Sequence, residues 1–454
     1  MPLPETIEIL PLSAPVRAEI TVPGSKSITN RALALAALVE GETILRGALW
    51  SEDTQVMVEC LQELGFMVNV APDPAEPCNR TITAYGLAGQ VPRGGTAAQP
   101  LELFVGNAGT AARFLAALVC LGHGVYRLDG VPRMRERPQG ALFQALRELG
   151  YRIDSPNDRL PALIHGRGTR AASCRVSLEE SSQFASALLL GARTGHWQIE
   201  VVGENEEESP YVAMTRQLIE VFPRRGGTFQ IEPDASSGSY FWGAGWLTLA
   251  ASGEQARAPV AEEPARAILA GHTPALARAF PAAITVANWP TTGWQIDSEF
   301  VRYLPMPPTI SRESQLGDSI MTAIALAPFG PRPIRFTKLG RLRVQECERV
   351  TALRTELTRC GARVVELPGD ILEVHPSFLH PATIETYQDH RMAMCFAILG
   401  LKVPGIKIKN AACVKKTFPN FFQKLAGPPP GGLGAVILDG SLRTPLHQAD
   451  LFAD

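Results

Sequence analysis

Apolar and polar positions fall into two recurring textures along the chain. In the first, an amphipathic helix stops at a glycine and an apolar strand follows: Leu61-Gln62-Glu63-Leu64-Gly65 leads into 66–70, Leu146-Arg147-Glu148-Leu149-Gly150 into 151–154, and Leu357-Thr358-Arg359-Cys360-Gly361 into 362–367. Glycine after the last helical turn takes the left-handed conformation that ends a helix without a Cβ clash. The units recur at roughly eighty residues or more, beyond the roughly 20–50 of a solenoid repeat, so the pattern predicts a domain of a few similar α/β modules.

The second texture is a helix that opens on small and charged residues. An apolar strand over 18–22 hands over at Pro23-Gly24-Ser25-Lys26-Ser27-Ile28-Thr29-Asn30-Arg31, where free helix N–H groups, hydroxyls and a lysine converge as an anion would require. The stretch lacks the earlier glycine of a nucleotide-cradling loop, and alone such a start is a plain cap more often than a site. The design recurs, however. Leu103-Phe104-Val105-Gly106-Asn107-Ala108-Gly109-Thr110-Ala111-Ala112-Arg113 is again strand, turn and helix start with an arginine one turn in. Asp129-Gly130-Val131-Pro132-Arg133-Met134-Arg135-Glu136-Arg137-Pro138 sets three arginines around a turn. Ser181-Ser182-Gln183-Phe184 and Tyr387-Gln388-Asp389-His390-Arg391-Met392 open further apolar helices, and Lys415-Lys416 supplies the last cations.

Composition sharpens this picture. Lys and Arg number 43 against 45 Asp and Glu in 454 residues, so cations grouped at helix starts point to a small, highly charged ligand. Nucleic acid would call for a broad basic stripe with aromatic platforms, and none is present. A 45% hydrophobic content suits two domains with substantial cores. No apolar run reaches the roughly twenty residues of a membrane span, and the start reads as neither signal nor transit peptide, so a cytoplasmic protein is expected. The eight cysteines show no metal spacing and read as reduced thiols.

Taken in order from residue 18 to about 425, these motifs resemble those of the 5-enolpyruvylshikimate-3-phosphate (EPSP) synthase family, the 3-phosphoshikimate 1-carboxyvinyltransferases: Pro-Gly-Ser-Lys-Ser, Gly-Asn-Ala-Gly-Thr-Ala, Pro-Arg-Met-(x)-Glu-Arg-Pro, Ser-Ser-Gln-Phe and Asp-His-Arg-Met-Ala-Met. The resemblance implies an α/β fold of two similar inside-out domains, each of three βαβαββ-type modules, with the active site in the interdomain cleft. Residues 1–23 with 236–426 would form one domain and 24–235 the other. The stretch 427–454, opening Gly-Pro-Pro-Pro-Gly-Gly, reads as a flexible tail. A monomer is expected, with shikimate 3-phosphate and phosphoenolpyruvate as its partners and no nucleic acid, membrane, cofactor or metal.

Residue by residue, the resemblance implies that Lys26, Arg133, Arg349, Arg391 and Lys416 hold phosphoenolpyruvate, with Gly109 and Gln183 beside them. Ser27, Arg31, Ser181, Ser182, Gln183 and Tyr211 match positions that hold shikimate 3-phosphate. Glu346 matches the proton donor to the methylene carbon, Asp318 the carboxylate that takes the hydroxyl proton, and Lys26 is counted with them among the catalytic groups. Desolvation is expected to keep Glu346 protonated while cations keep Asp318 ionised.

The chain also departs from the family pattern. Arg341 and Gln345 stand where many members have an asparagine and a lysine that contact shikimate 3-phosphate, with Arg341 or Arg343 as candidates to replace the lost cation. Phe114 replaces a proline after Arg113, at a position backing onto the phosphoenolpyruvate pocket where the family's inhibitor glyphosate acts. Either Glu208 or Ser209 fills the usual serine position, and the Ala- and Pro-rich stretch 250–312 matches poorly. A related transferase acting on a UDP-sugar would carry a cysteine in the loop 132–137, and no cysteine lies between Cys120 and Cys174. A non-catalytic phosphometabolite-binding protein is the reading from another class, and Asp318 and Glu346 speak against it.

Overall fold

A computed structural model describes residues 3–178, 181–203, 210–249 and 284–453. The alternatives Glu208 and Ser209 lie outside the described residues, as does 250–283 of the poorly matching stretch. Among the described residues the strands form six sheets, four of them four-stranded. Each of these four repeats one pattern of directions: an edge strand parallel to its neighbour, then two antiparallel pairings. Leu101–Phe104 runs parallel to His123–Asp129, which is antiparallel to Ala162–Arg167, itself antiparallel to Arg152–Asp154. The sheets built on 40–49, 334–337 and 406–409 are ordered in the same way.

A parallel pair needs a crossover, and helices provide it: Gly109–Cys120 joins the pair 101–104 and 123–129, Ile320–Leu326 lies between 309–311 and 334–337, and His390–Gly400 between 382–384 and 406–409. All three helices are buried along their whole length, and Lys26–Leu38 is buried from Ile28 onward. A helix surrounded by protein has no polar face to show, which explains why these segments read as continuously apolar. Outer strands keep an exposed face, as Glu102 and Phe104 show. The glycine stops also appear: Gly65, Gly150 and Gly361 follow helices Glu52–Glu63, Gly140–Glu148 and Arg349–Arg359 with φ of +89, +85 and +92°.

The chain divides into two compact units, Met1–Pro23 with Pro233–Asp454, and Gly24–Glu232. The second passage therefore falls three residues before the expected 235/236, because Asp234 already belongs to the first unit, donating its N–H to Pro23 O at 2.8 Å. The expected flexible tail is corrected. Ile437–Asp439 is a strand antiparallel to Thr6–Ile9, and it takes in the fourth sheet the place that 67–72, 152–154 and 364–367 take in the others. Leu433, Ile437 and Leu451 are fully buried in that unit's core. The proline and glycine run that suggested disorder is only the turn leading into this strand.

Candidate active site

In the unit 24–232, Lys26 opens its helix with its Nζ 3.1 Å from Asp53 Oδ2. Five residues on, Arg31 is almost fully buried, and its guanidinium gathers three helices. It donates from Nε to Thr215 Oγ1 at 2.7 Å, from Nη1 to Ser27 O at 2.9 Å, and from Nη2 to Ser186 Oγ at 3.1 Å and Tyr211 O at 3.3 Å. Burial lowers its pKa to about 10, so it stays charged at neutral pH. The structure thus brings Arg31, Ser27 and Tyr211 together, through protein carbonyls and hydroxyls. Phe114 completes the group: Arg31 lies over its ring at 5.3 Å, a contact that the proline usual at this position would not make.

Ser181 caps helix Ser182–Gly195 by accepting the Gln183 N–H at 3.2 Å, and Gln183 Oε1 is buried without a hydrogen-bond partner among the described residues. Gly109 opens its helix where a Cβ would collide with the guanidinium groups of Arg113 and Arg137. Glycine there leaves room for the close packing of two arginines. Arg133 sits on the short helix Pro132–Glu136, half-exposed and paired with Glu136 at 2.7 Å. A surface pair of this kind contributes about 0–1 kcal/mol.

In the other unit one buried arginine organises the site. Arg349, 1% exposed, is 2.7 Å from Asp389 Oδ2, 2.8 Å from Glu346 Oε2 and 3.9 Å from Asp318 Oδ2. Burial disfavours its charge, but the carboxylates of Asp389, Glu346 and Asp318 outweigh that and hold it as a cation. Arg391 lies 3.3 Å from Asp318 Oδ2 and donates to Ser236 Oγ at 3.1 Å. Asp389 fixes both arginines, since it also caps helix His390–Gly400 by accepting the Arg391 N–H at 2.8 Å.

Asp318 stands on a tight turn ahead of helix Ile320–Leu326, and Arg312 Nη2 donates to its Oδ1 at 2.6 Å. Burial would raise its pKa, but the charges of Arg391, Arg312 and Arg349 more than offset this and hold the carboxyl well below its usual range. Glu346 faces cations with both oxygens: Arg349 at 2.8 Å and Lys416 Nζ at 3.7 Å. Gln345 Oε1 accepts a hydrogen bond from Arg349 Nη1, so the residue that replaces a cation steadies one instead. Arg341 lies on the short helix Gly340–Val344. Arg343, the other candidate, is held by Asp370, Glu366 and Glu348 at 2.7–2.8 Å, three carboxylates that already answer its charge.

Asp389, Arg312 and Asp297 belong to this cluster and were not singled out from the sequence. Asp389 had a signal, as the helix-capping acid of its own motif. Arg312 and Asp297 lie in the stretch that matches no motif. Among the described residues no group of His, Cys, Asp or Glu is placed to hold a metal ion, and no helix is long and apolar enough to cross a membrane.

A family profile described as EPSP synthase (3-phosphoshikimate 1-carboxyvinyltransferase) matches residues 12–224 and 223–425. The 3-phosphoshikimate 1-carboxyvinyltransferase of Opitutus terrae is 39% identical, covering 94% of this chain and 98% of that protein. Those of Trichormus variabilis and Pseudomonas savastanoi are 36% and 34% identical, over 92% and 93% of this chain and 98% and 97% of theirs. Among solved structures, an EPSP synthase from Acinetobacter baumannii superposes with a TM-score of 0.65 at 20% identity, covering 95% of this chain and 99% of that one. The enolpyruvyl transferase NikO from Streptomyces tendae superposes at 0.59 and 16% identity, covering 96% and 99%, so the likeness extends to the fold of both. With the family profile matched along nearly the whole chain and relatives above 30% identity over nine-tenths of it, the chain belongs to the EPSP synthase family of 3-phosphoshikimate 1-carboxyvinyltransferases.

Proposed function

We propose that the protein transfers the enolpyruvyl group of phosphoenolpyruvate to the 5-hydroxyl of shikimate 3-phosphate and releases phosphate. The observation that carries this reading is the pairing of two carboxylates, Asp318 and Glu346, with the same buried arginine. The substrates bring two phosphates and two carboxylates, about six negative charges when fully ionised. Lys26, Arg133, Arg349, Arg391 and Lys416 supply the countercharge. Ser27, Arg31, Ser181, Ser182, Gln183 and Tyr211, with Arg341 and Gln345, are read as the shikimate-side groups.

The salt bridges suggest how the chemistry is held back until both substrates arrive. When an anionic substrate engages Arg349 and Lys416, it draws these cations away from Glu346, which can then carry a proton. Glu346 gives that proton to the methylene carbon, and the cationic centre left at the adjacent carbon is attacked by the 5-hydroxyl oxygen, whose proton passes to Asp318. The new C–O bond gives a tetrahedral ketal. Return of a methyl proton to the Glu346 carboxylate and cleavage of the bond between the ketal carbon and the phosphate oxygen then restore the double bond and expel phosphate. Cations fixed in advance around the developing charges should contribute most of the rate.

The test is phosphate release from phosphoenolpyruvate with shikimate 3-phosphate as acceptor, beside a UDP-N-acetylglucosamine control and a Glu346→Gln variant. Release with the shikimate substrate alone, reduced about 10²- to 10⁴-fold in the variant, is expected. Binding of shikimate 3-phosphate without release would leave a metabolite-binding protein instead. Gln345→Lys adds a charge-assisted contact worth about 1.5–3 kcal/mol and loses a hydrogen bond worth about 0.5–1.5. The KM for shikimate 3-phosphate should therefore fall roughly tenfold, and an unchanged KM would show that residue 345 does not face this substrate.

A further inference from the structure

We propose that Asp297 is a positioning residue for Asp318, fixing the Gly317–Ser319 turn that presents the Asp318 carboxyl by accepting the Ser319 amide hydrogen. The inference rests on the role read for Asp318 above. Asp297 lies in the first turn of helix Ile296–Tyr303 and is 6% exposed, in a part of the chain where no motif marked it. Its Oδ1 accepts the Ser319 N–H at 2.6 Å. The fit is close: a Cβ on Gly317, which has φ +53°, would come within 3.0–3.2 Å of both Asp297 oxygens and 2.7 Å of the Ile296 side chain. The Ser319 hydroxyl donates to Leu316 O at 2.6 Å and closes the turn from the other side. Asp318 then meets Arg312 and Arg391 from a rigid backbone.

The same carboxyl brings a charge that depends on pH. Burial, then the negative charge of Asp318, pushes it up to about 7; Arg391 and the Ser319 N–H act in the opposite sense, and Asp234 adds to the upward push. Asp297 is thus neutral on the acid side of pH 7 and leaves Arg391 to Asp318 and to an anionic substrate. Above pH 7 an ionised Asp297 competes for Arg391 and weakens its hold on phosphoenolpyruvate.

Asparagine at 297 keeps an oxygen acceptor for Ser319 and cannot ionise, whereas alanine removes both. Asp297→Asn should match wild-type kcat/KM near pH 6, and Asp297→Ala should lose about 10- to 100-fold through misplacement of Asp318. The wild-type KM for phosphoenolpyruvate, divided by that of Asp297→Asn, should rise about tenfold between roughly pH 6 and pH 9. This ratio cancels the substrates' own titration. An alanine variant with wild-type kcat and KM overturns the proposal, and a flat ratio overturns the competition for Arg391. If the alanine variant does not fold, hydrogen exchange in the wild type decides: a Ser319 amide protected as strongly as those of helix Ile320–Leu326 supports the proposal, and a freely exchanging one overturns it. A wild type that releases no phosphate would instead sink the proposed reaction, leaving the exchange measurement to judge Asp297.

Discussion

Arg349→Ala should destabilise the unit formed by 1–23 and 233–454 by about 3–5 kcal/mol, because it strands buried carboxylates rather than merely deleting a contact. Asp389 is fully buried and Glu346 and Asp318 nearly so, and all three face this one guanidinium. Truncation leaves their charges in a poor solvent, with Arg391 and Arg312 able to answer only part of the demand. Urea unfolding of the variant gives the test: an unfolding free energy within about 1 kcal/mol of wild type would mean that the cluster relaxes freely. Adding Asp389→Ala should recover part of the loss, since the pair is coupled. Acid should expose the same dependence. Asp318 has a depressed pKa in the folded state, so its contribution is complete above its ordinary value near 4 and is lost as the pH falls below it.

Removing 427–454 should be at least as damaging, although composition alone would call the segment dispensable. Leu433, Ile437 and Leu451 are buried to 1% exposure or less and Leu438 to 8%. At about 1.5–3 kcal/mol for each large side chain, the gross loss is roughly 6–12 kcal/mol, from which the cost of ordering the segment is regained. Truncation also bares Thr6–Ile9 as an edge strand, an invitation to intermolecular pairing. A lowered melting temperature with aggregation is the expected outcome. A shortened chain that melts like the full one would show that the strand 437–439 adds nothing.

How much of this was legible in the sequence depends on whether the signal was local. The helix starts at Lys26, Gly109, Ser182 and His390 could be read from short motifs, because a helix start is settled within a few residues, and two of them carry side-chain caps, Ser181 and Asp389. The glycine stops at 65, 150 and 361 were legible for the same reason. What stayed hidden was long-range. Nothing near Arg343 announces that three carboxylates, two of them about 25 residues away, will claim it. Nothing near Asp297 announces Ser319. The run Gly427 to Gly432 has the composition of a linker, and only its partner strand at the opposite end of the chain shows that structure resumes beyond it.

The placement of Thr6–Ile9 between Ile406–Lys409 and Ile437–Asp439 has a consequence for how the chain is made. Thr6–Ile9 pairs with residues about 400 positions later, so at roughly 5–20 residues per second it waits on the order of 20–80 s for a neighbour. The unit 24–232 is continuous and can condense while translation proceeds. The sheet of the other is completed only after Ile437–Asp439 emerges. During that interval an apolar strand is tethered to a folded body with both its edges unsatisfied, which makes the nascent chain the state most in need of a chaperone.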